Sequence, residues 1–372
     1  MSSSMREALA DTIAADGDLR SPEWRRAVLD IPRHEFLRGG FFHRTDEGGR
    51  TGWEPVRPEN ETWLSACYSN ESLVTQIAGT VVPADIDGRI HRQPTSSSTL
   101  PGLVVRMLEE LEVQDEMRVL EIGTGTGYST GLLCHRLGDH LVTSVEVDEE
   151  VSARARTALG TVGYHPTLVV GDGLKGHAAE APYDRLIATC GVMSIPGEWL
   201  EQVRPGGRIL ATVSGWLYSS ELASLTVRAD GTAAGRLLGG EVSFMLARPQ
   251  IPPPLGVLPD LSDGTERECI VAWDVLNDWA ARFVAQLAVP KAQRFSLALE
   301  GGVFDVLLDV ESGSWAALRK AEGRWIVREG GPERLWAQVE DHVTRWRKEG
   351  SPGLDRFLIT AAPGEHMATW TR

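Results

Sequence analysis

The 372-residue chain lacks several features that would assign it to a specialised class of protein. It has no run approaching the roughly 18 consecutive apolar residues that a membrane-spanning helix needs. Residues 1–20 also lack the apolar core of a signal peptide. These two absences predict a cytoplasmic protein that has no membrane partner.

Positive charge and cysteine are also scarce. The formal net charge is −15, and binding to a nucleic-acid backbone needs clustered Lys and Arg, so we expect no nucleic-acid partner. The four cysteines form no C-x-x-C pair and lie far apart, at Cys67, Cys134, Cys190 and Cys269. This spacing favours buried free thiols, and it predicts neither a structural metal site nor a disulfide framework.

Changes in composition divide the chain into three predicted parts. Residues 1–90 form an N-terminal extension of helices and a long loop, because residues 38–58 are rich in glycine and charge. Residues 91–248 form the core. Five prolines between Pro249 and Pro259 predict a stiff connector. It opens a third part, residues 249–372, in which short antiparallel strands and an amphipathic helix predict an α+β domain.

The core alternates short apolar runs with helical segments. Five runs are predicted strands: "RVLEIG", "LVTSVEVD", "PTLVVGDG", "DRLIATC" and "GRILATVSG". Strands separated by helices of about 10–15 residues predict a parallel sheet covered on both faces. Two closing strands are also predicted, "ELASLTVRADGTAAGRLLGG" with a hairpin turn at Asp230–Gly231 and "EVSFMLAR". The predicted fold is α/β, with a doubly wound, mostly parallel sheet.

A glycine-rich turn follows the first core strand, in "VLEIGTGTGYSTG". Gly123, Gly125 and Gly127 would let a ligand approach backbone that a Cβ atom would block. The next helix would direct its N-terminal N–H groups at the same place. The spacing G-x-G-x-G departs from the dinucleotide fingerprint, and no Gly-Lys-Ser/Thr follows to make a P-loop. The turn alone is also compatible with tight packing of a strand against a helix.

Acidic residues near this turn indicate the ligand. Glu121 precedes it, Glu146 ends the second strand 23 positions after Gly123, and Asp172 ends the third strand. Glu146 could accept both ribose hydroxyls, and Asp172 could accept from an exocyclic amine. The sulfonium and ammonium groups of S-adenosylmethionine favour an acidic site, whereas a pyrophosphate does not. We therefore predict that this cofactor, and not another nucleotide, is held by Glu121, Gly123, Thr124, Gly125, Gly127, Glu146, Val147, Asp172 and Gly173.

Six segments together resemble the protein-L-isoaspartate O-methyltransferase family. They are "AVLDIPRHEF", "VLEIGTGTGYSTGLL", "VTSVEVDEE", "VVGDGLKG", "APYDRLIATC" and "IPGEWLEQVRPGGRIL". The resemblance covers about residues 20–247 and is densest from Gln93 to Ser214. It implies a class I S-adenosylmethionine methyltransferase fold and methylation of a side-chain or isoaspartyl carboxylate, after which loss of methanol gives a succinimide.

The resemblance also implies where the acceptor carboxylate is held. The family has "GQTISQP" before the helix that precedes the glycine turn, and this chain has "TSSSTLP" at the same places. Thr99 matches the family's active-site serine and Ser97 its threonine, whereas a one-residue shift would make Ser98 the functional hydroxyl. A carboxylate with a pKa of about 4 is already ionised at pH 7, so no general base is required. By composition alone, the same segment would be a solvated loop.

Three departures from the family pattern indicate a specialised branch. The Ser/Thr-rich segment, the N-terminal part with "YSNESLVTQ" and the C-terminal domain resemble variants associated with ribosomally made, modified peptides such as graspetides. Those variants methylate one aspartate of a macrocyclic peptide, which leads to an aspartimide or isoaspartate. We therefore predict a modified peptide as substrate. The alternatives are repair of isoaspartate in damaged proteins and a non-catalytic binding protein.

Overall fold

The computed structural model describes residues 2–299, 302–363 and 365–370. The chain forms two compact units, of which the first contains Met1–Thr189 and Pro196–Leu210 and the second contains Cys190–Ile195 and Ala211–Arg372. The division into three parts at residues 90 and 248 stays a prediction. Within the described residues, no helix combines the length and the apolar character needed to cross a bilayer.

The first unit begins with two helices, α1 (Ser2–Ala15) and α2 (Pro22–Asp30). Helix α2 buries Trp24, Ala27 and Val28, which have the i, i+3, i+4 spacing of one helix face. Pro22 occupies the first turn, where its missing N–H costs no hydrogen bond. A 3-10 turn at Arg33–Leu37 follows and buries Arg33, Phe36 and Leu37.

An antiparallel sheet follows, and its first two strands lie in residues 38–58, where the sequence predicted a long loop. Its strands are β1 (Phe41–Glu47), β2 (Arg50–Val56), β3 (Leu73–Ile77) and β4 (Pro94–Ser98), with helix α3 (Trp63–Cys67) between β2 and β3. The strand order is β2-β1-β3-β4. Gly48 and Gly49, with φ of +58° and +77°, form the β1–β2 turn, where left-handed backbone favours glycine. The loop prediction was wrong because glycine and charge concentrate at a hairpin turn and on an exposed face.

The rest of the first unit alternates helices and strands. The elements are α4 (Pro101–Leu111), β5 (Val119–Ile122), α5 (Tyr128–Leu137), β6 (Val142–Glu146), α6 (Glu149–Thr161), β7 (Thr167–Val170), β8 (Tyr183–Val192), α7 (Gly197–Gln202) and β9 (Val203–Val213). Strands β8 and β9 each end with residues that belong to the second unit.

The strand order in this part is β9-β8-β5-β6-β7. Strand β5 pairs in parallel with both β6 and β8, and β6 pairs in parallel with β7. Every residue of β5 and β6 is buried, as expected for parallel strands covered on both faces. The five predicted core strands are confirmed. The order reverses between β5 and β8, and ligands of open α/β sheets bind at such a reversal, beside the carboxyl ends of the strands.

The second unit contains two groups of antiparallel strands and two helices. The elements are β10 (Glu221–Val227), β11 (Ala233–Leu237), β12 (Thr265–Glu268), α8 (Trp279–Ala288), β13 (Gln293–Leu299), β14 (Gly302–Asp309), β15 (Ser314–Ala321), β16 (Arg324–Gly330), α9 (Leu335–Lys348), β17 (Phe357–Ala362) and β18 (Glu365–Trp370). The strand orders are β10-β11-β17-β18 and β12-β16-β15-β14-β13.

Two predicted closing strands have different outcomes. The β10–β11 hairpin is confirmed, since Val227 pairs with Ala233 and Gly231 has a φ of +79° in the turn. The second prediction was wrong, because residues 241–248 form no strand; they contain an isolated bridge from Leu246 to Gly191, and Arg248 begins a 3-10 turn. The α/β class with a mixture of parallel and antiparallel strands is confirmed. The prediction of an N-terminal extension made only of helices and a loop was incomplete, since a sheet is also present there. Further antiparallel strands are present on the C-terminal side.

Candidate active site

The glycine turn lies directly after β5. Gly123, Gly125 and Gly127 have φ of +94°, +55° and +90°, a conformation that favours glycine. A Cβ atom added to Gly123 would lie 2.8 Å from the Thr189 hydroxyl oxygen, and one on Gly127 would lie 3.3 Å from the Ala155 methyl group. Close packing therefore accounts for part of the glycine requirement, and the turn leads into the N-terminus of α5.

Glu146 connects the end of β6 to this turn. Its Oε2 accepts from the Gly125 N–H at 2.9 Å, and its Oε1 accepts from the Asp148 N–H at 3.1 Å. The next residue, Val147, keeps 40% of its surface exposed although it is apolar. The structure thus brings together the predicted carboxylate, an accessible apolar side chain and the glycine turn.

The end of β7 lies at the same edge of the sheet. Asp172 begins a 3-10 turn at Gly173–Lys175, and its Oδ1 accepts from the Leu174 N–H at 3.0 Å. A Cβ atom on Gly173 would lie 2.5 Å from the Ile122 side chain at the end of β5. The three predicted carboxyl-end segments are therefore neighbours, as parallel pairing of their strands requires.

Glu121 has a different environment from the other predicted cofactor residues. It is 0% exposed, and its carboxylate accepts from the hydroxyls of Ser129, Thr130 and Ser144. Thr124 forms a further hydrogen bond with Ser144, at 2.6 Å. Burial raises the pKa of Glu121, although the three hydroxyl donors act in the opposite direction. This geometry favours a role in holding the turn over direct contact with a ligand.

The Ser/Thr-rich segment is a strand and not the solvated loop that its composition predicted. Strand β4 pairs antiparallel with β3, where Ser97 lies opposite Val74 and Ser98 opposite Leu73. Side chains alternate between the two faces of a strand. Accordingly, Ser96 and Ser98 are buried, whereas Ser97 and Thr99 are half-buried. Hydroxyl side chains can occupy a buried face when they find hydrogen-bond partners, and composition does not reveal such partners.

The three candidate acceptor hydroxyls are consequently in different places. The Ser98 hydroxyl accepts from Arg33 Nε at 3.3 Å, and the side chain is only 2% exposed. A Cβ atom on Gly125 would lie 3.5 Å from the main-chain oxygen of Ser97, so the segment passes beside the glycine turn. This arrangement favours Thr99, with Ser97, over Ser98 as the acceptor-side hydroxyl, and the assignment stays a prediction.

Two buried polar residues at the site were missed in the sequence. Arg33 donates to the main chain of Ser98 and Thr99. Gln76 is completely buried; its Oε1 accepts from the Thr95 hydroxyl at 2.8 Å, and its Nε2 donates to Asp148 Oδ2 at 3.1 Å. The available signals were the family-like segment "DIPRHEF", which contains Arg33, and a glutamine among apolar residues in "LVTQI".

The described residues contain no group of three or more His, Cys, Asp or Glu side chains that could hold a metal ion. All four cysteines are free, and Cys67 and Cys134 are buried. Burial raises the pKa of the Cys67 thiol to about 12. A thiol with such a pKa is almost entirely protonated at pH 7 and is a poor nucleophile.

Comparisons with known proteins agree on one family. A family model described as Protein-L-isoaspartate(D-aspartate) O-methyltransferase (PCMT) matches residues 71–244. A protein-L-isoaspartate O-methyltransferase of Methanopyrus kandleri is 31% identical over 63% of this chain and 88% of its own length. Protein-L-isoaspartate O-methyltransferase 2 of Archaeoglobus fulgidus is 38% identical over 56% of this chain and 78% of its own length. A solved protein-L-isoaspartate O-methyltransferase shares the fold, with 19% identity, a TM-score of 0.58 and coverage of 99% of this chain and 100% of that protein.

Proposed function

The chain belongs to the protein-L-isoaspartate O-methyltransferase family, and we propose that it methylates an isoaspartyl or aspartyl carboxylate held at the Thr99 hydroxyl. It is a protein carboxyl O-methyltransferase that uses S-adenosylmethionine. Family membership supports an enzyme over the non-catalytic alternative. The finer points, which are the substrate and the residues that contact it, rest on the geometry of the first unit.

The residues at the carboxyl ends of β5, β6 and β7 suit this cofactor. Glu146 lies beside the glycine turn, where a carboxylate can accept from ribose hydroxyls, and the exposed Val147 offers an apolar surface to a base. Asp172 supplies a further carboxylate at the same edge, so the site is acidic and suits a cation. When bound, the cofactor supplies an electrophilic methyl group.

The acceptor side needs to orient a group that is already reactive. A carboxylate with a pKa of about 4 is ionised at pH 7, and its oxygen needs no general base. Orientation of the reacting atoms supplies much of the rate acceleration in such reactions. The single observation that carries the proposal is the position of Ser97 beside Gly125, since it brings the Thr99 segment next to the predicted cofactor turn.

An isoaspartyl residue in a damaged protein is the substrate class with the broadest support. The relatives from Methanopyrus kandleri and Archaeoglobus fulgidus carry that activity in their names and align over most of their own lengths. The solved relative aligns over 99% of this chain, so the C-terminal segments are no longer an argument for a specialised substrate. This substrate class was the alternative in the sequence-based prediction.

An aspartate in a modified, macrocyclic peptide is the second candidate. The observation in its favour is the composition of β4, where Thr95 and Ser96 replace the Gly-Gln pair of the family pattern and Ser98 replaces an aliphatic residue. Strand β4 consequently has hydroxyls on both faces. A more polar strand β4 suits a substrate, such as a macrocyclic peptide, that differs from an ordinary extended chain.

Methyl transfer to matched peptides tests the proposal and separates the two classes. The purified protein would be incubated with labelled S-adenosylmethionine and an isoaspartyl peptide, its aspartyl counterpart, or a macrocyclic peptide with side-chain ester links. We expect label in the isoaspartyl peptide, and none in its aspartyl counterpart or in the macrocyclic peptide. Label only in the macrocycle would establish the second class. Cofactor binding without transfer to any of the three would contradict the proposed function.

A further inference from the structure

Arg33 joins three segments of the first unit through main-chain oxygens. The side chain is 0% exposed, in the turn that follows α2. At 2.9–3.2 Å, its Nη1 and Nη2 atoms donate to the carbonyl oxygens of Cys67, Ser69, Glu71, Ser98 and Thr99. Its Nε donates to the Ser98 hydroxyl at 3.3 Å. One side chain thus links residues 67–71, which precede β3, to the end of β4.

The guanidinium also lies near the other half of the site. Its central carbon is 5.9 Å from the centroid of the Tyr128 ring, and Tyr128 is the first residue of α5 after the glycine turn. Arg33 therefore hydrogen-bonds to the end of β4 and also lies near the residue that follows the glycine turn.

The charge of Arg33 is unusual for a buried group. Ionised side chains away from water are normally paired with an opposite charge. Within the described residues, Arg33 forms no ion pair with a carboxylate, and its hydrogen-bond partners are carbonyls and one hydroxyl. Burial lowers its pKa to about 10, so the group is still a cation at pH 7. The fold therefore retains a positive charge beside the end of β4, where the acceptor carboxylate binds under the proposed function.

We propose that Arg33 is a positioning residue for methyl transfer, which fixes the main chain of Ser98 and Thr99 and thereby the Thr99 hydroxyl. This inference rests on the proposed function. The planar fork of arginine allows several donors to reach carbonyls from separate segments at once. A lysine keeps the positive charge but lacks the forked arrangement of donors. The variant Arg33→Lys therefore removes the positioning of the main chain while it keeps the charge.

Arg185 provides a matched control. It is also buried, and it donates from Nε to the Leu111 carbonyl at 2.8 Å and from Nη2 to the Glu112 carbonyl at 3.0 Å. These carbonyls lie at the C-terminal end of α4, and none of the hydrogen bonds of Arg185 reaches β4. Arg185→Lys therefore removes a smaller main-chain clamp of the same kind, away from β4.

The test compares Arg33→Lys with Arg185→Lys in the full chain. Thermal unfolding, S-adenosylmethionine affinity by calorimetry, and kcat and KM for an isoaspartyl peptide would be measured for each variant. We expect Arg33→Lys to lower kcat/KM by about 10- to 100-fold, because small displacements of reacting groups have effects of this size. Its cofactor affinity should change by less than about threefold, and Arg185→Lys should change kcat/KM by less than about threefold although it also loses buried hydrogen bonds to the main chain.

A folded Arg33→Lys protein with wild-type kcat/KM would overturn the inference. Amide hydrogen exchange of residues 97–100 gives a readout that does not need activity, and it should be faster in Arg33→Lys and unchanged in Arg185→Lys. Equal exchange in both variants would also overturn it. If Arg33→Lys fails to fold, Ser98→Ala removes the Nε acceptor alone and should still accelerate this exchange. A wild-type protein inactive on every peptide contradicts the proposed function, whereas the exchange result still decides the role of Arg33.

Discussion

The Gly125 N–H donates to Oε2 of Glu146 at 2.9 Å. This bond makes the turn after β5 and the carboxylate at the end of β6 a single structural unit, although the two residues belong to different strand ends. A ligand that binds the carboxylate therefore also contacts a turn whose conformation that carboxylate helps to set.

Glu146→Gln should weaken cofactor binding. Removing the charge weakens hydrogen bonds to a charged acceptor, which contribute about 1.5–3 kcal/mol, so S-adenosylmethionine affinity should fall by about 10- to 100-fold. Calorimetry measures this directly. The control is Glu150→Gln on α6, where the exposed side chain pairs with Arg154 at 3.8 Å. Similar losses in both variants would argue against a cofactor contact by Glu146.

Thr99→Ala should reduce turnover while leaving cofactor affinity nearly unchanged. Removing one preorganised hydrogen-bond donor from an active site lowers kcat by about 100-fold or more. Thr99→Ser keeps the hydroxyl and should retain most of the activity. The measurement is kcat with a saturating isoaspartyl peptide. If Ser98→Ala has a larger effect than Thr99→Ala, the acceptor hydroxyl belongs to Ser98, and the match of this segment to the family pattern is shifted by one residue.

Gln76→Leu should destabilise the first unit. The substitution removes the hydrogen bonds from Thr95 and to Asp148 at a completely buried position. Loss of a buried polar partner costs about 1–3 kcal/mol in the free energy of unfolding. Urea unfolding monitored by circular dichroism measures this loss. Gln338 on α9 is half-buried, and Gln338→Leu removes its side-chain bond to Glu333. An equal loss of stability there would show that the buried position of Gln76 has no special importance.

Glu121→Gln should alter the pH dependence of stability. Burial raises the pKa of Glu121 in the folded protein, so the folded state retains a proton that the unfolded state releases. The resulting stabilisation is complete below the ordinary pKa of 4.5 and is lost as pH rises through the higher folded-state pKa. Urea unfolding across this range should therefore show a stability decrease in the wild type that is smaller in Glu121→Gln. Parallel pH profiles would contradict the direction of this shift.

The central strands were predictable because short segments rich in aliphatic and β-branched residues alternate with helical segments, as in β5 and β6. The turn after β5 was predictable because its backbone is left-handed, a conformation that favours glycine. Both properties are local and can be recognised in a short window of sequence. The glycine turn and the carboxylates at the strand ends were identified for the same reason.

The parts that were missed depend on contacts between distant segments. Apart from Pro94, strand β4 consists of small polar residues, which form a strand only because β3 pairs with it. Arg33 binds Ser98 across 65 positions of sequence, and Gln76 binds Asp148 across 72 positions. No local pattern specifies such partners, so the residues around Arg33 and Gln76 gave no indication of what these two side chains contact.

The alternation along β4 separates two kinds of replacement. Ser96 and Ser98 face the interior, where the family pattern has a glutamine and an aliphatic residue, so a change at either position has to be matched by neighbouring side chains, as the bond from Arg33 to the Ser98 hydroxyl illustrates. Ser97 lies on the opposite face and is half-buried, so a change there needs less compensation. Sequence drift along this one strand is therefore coupled to distant partners at every second position.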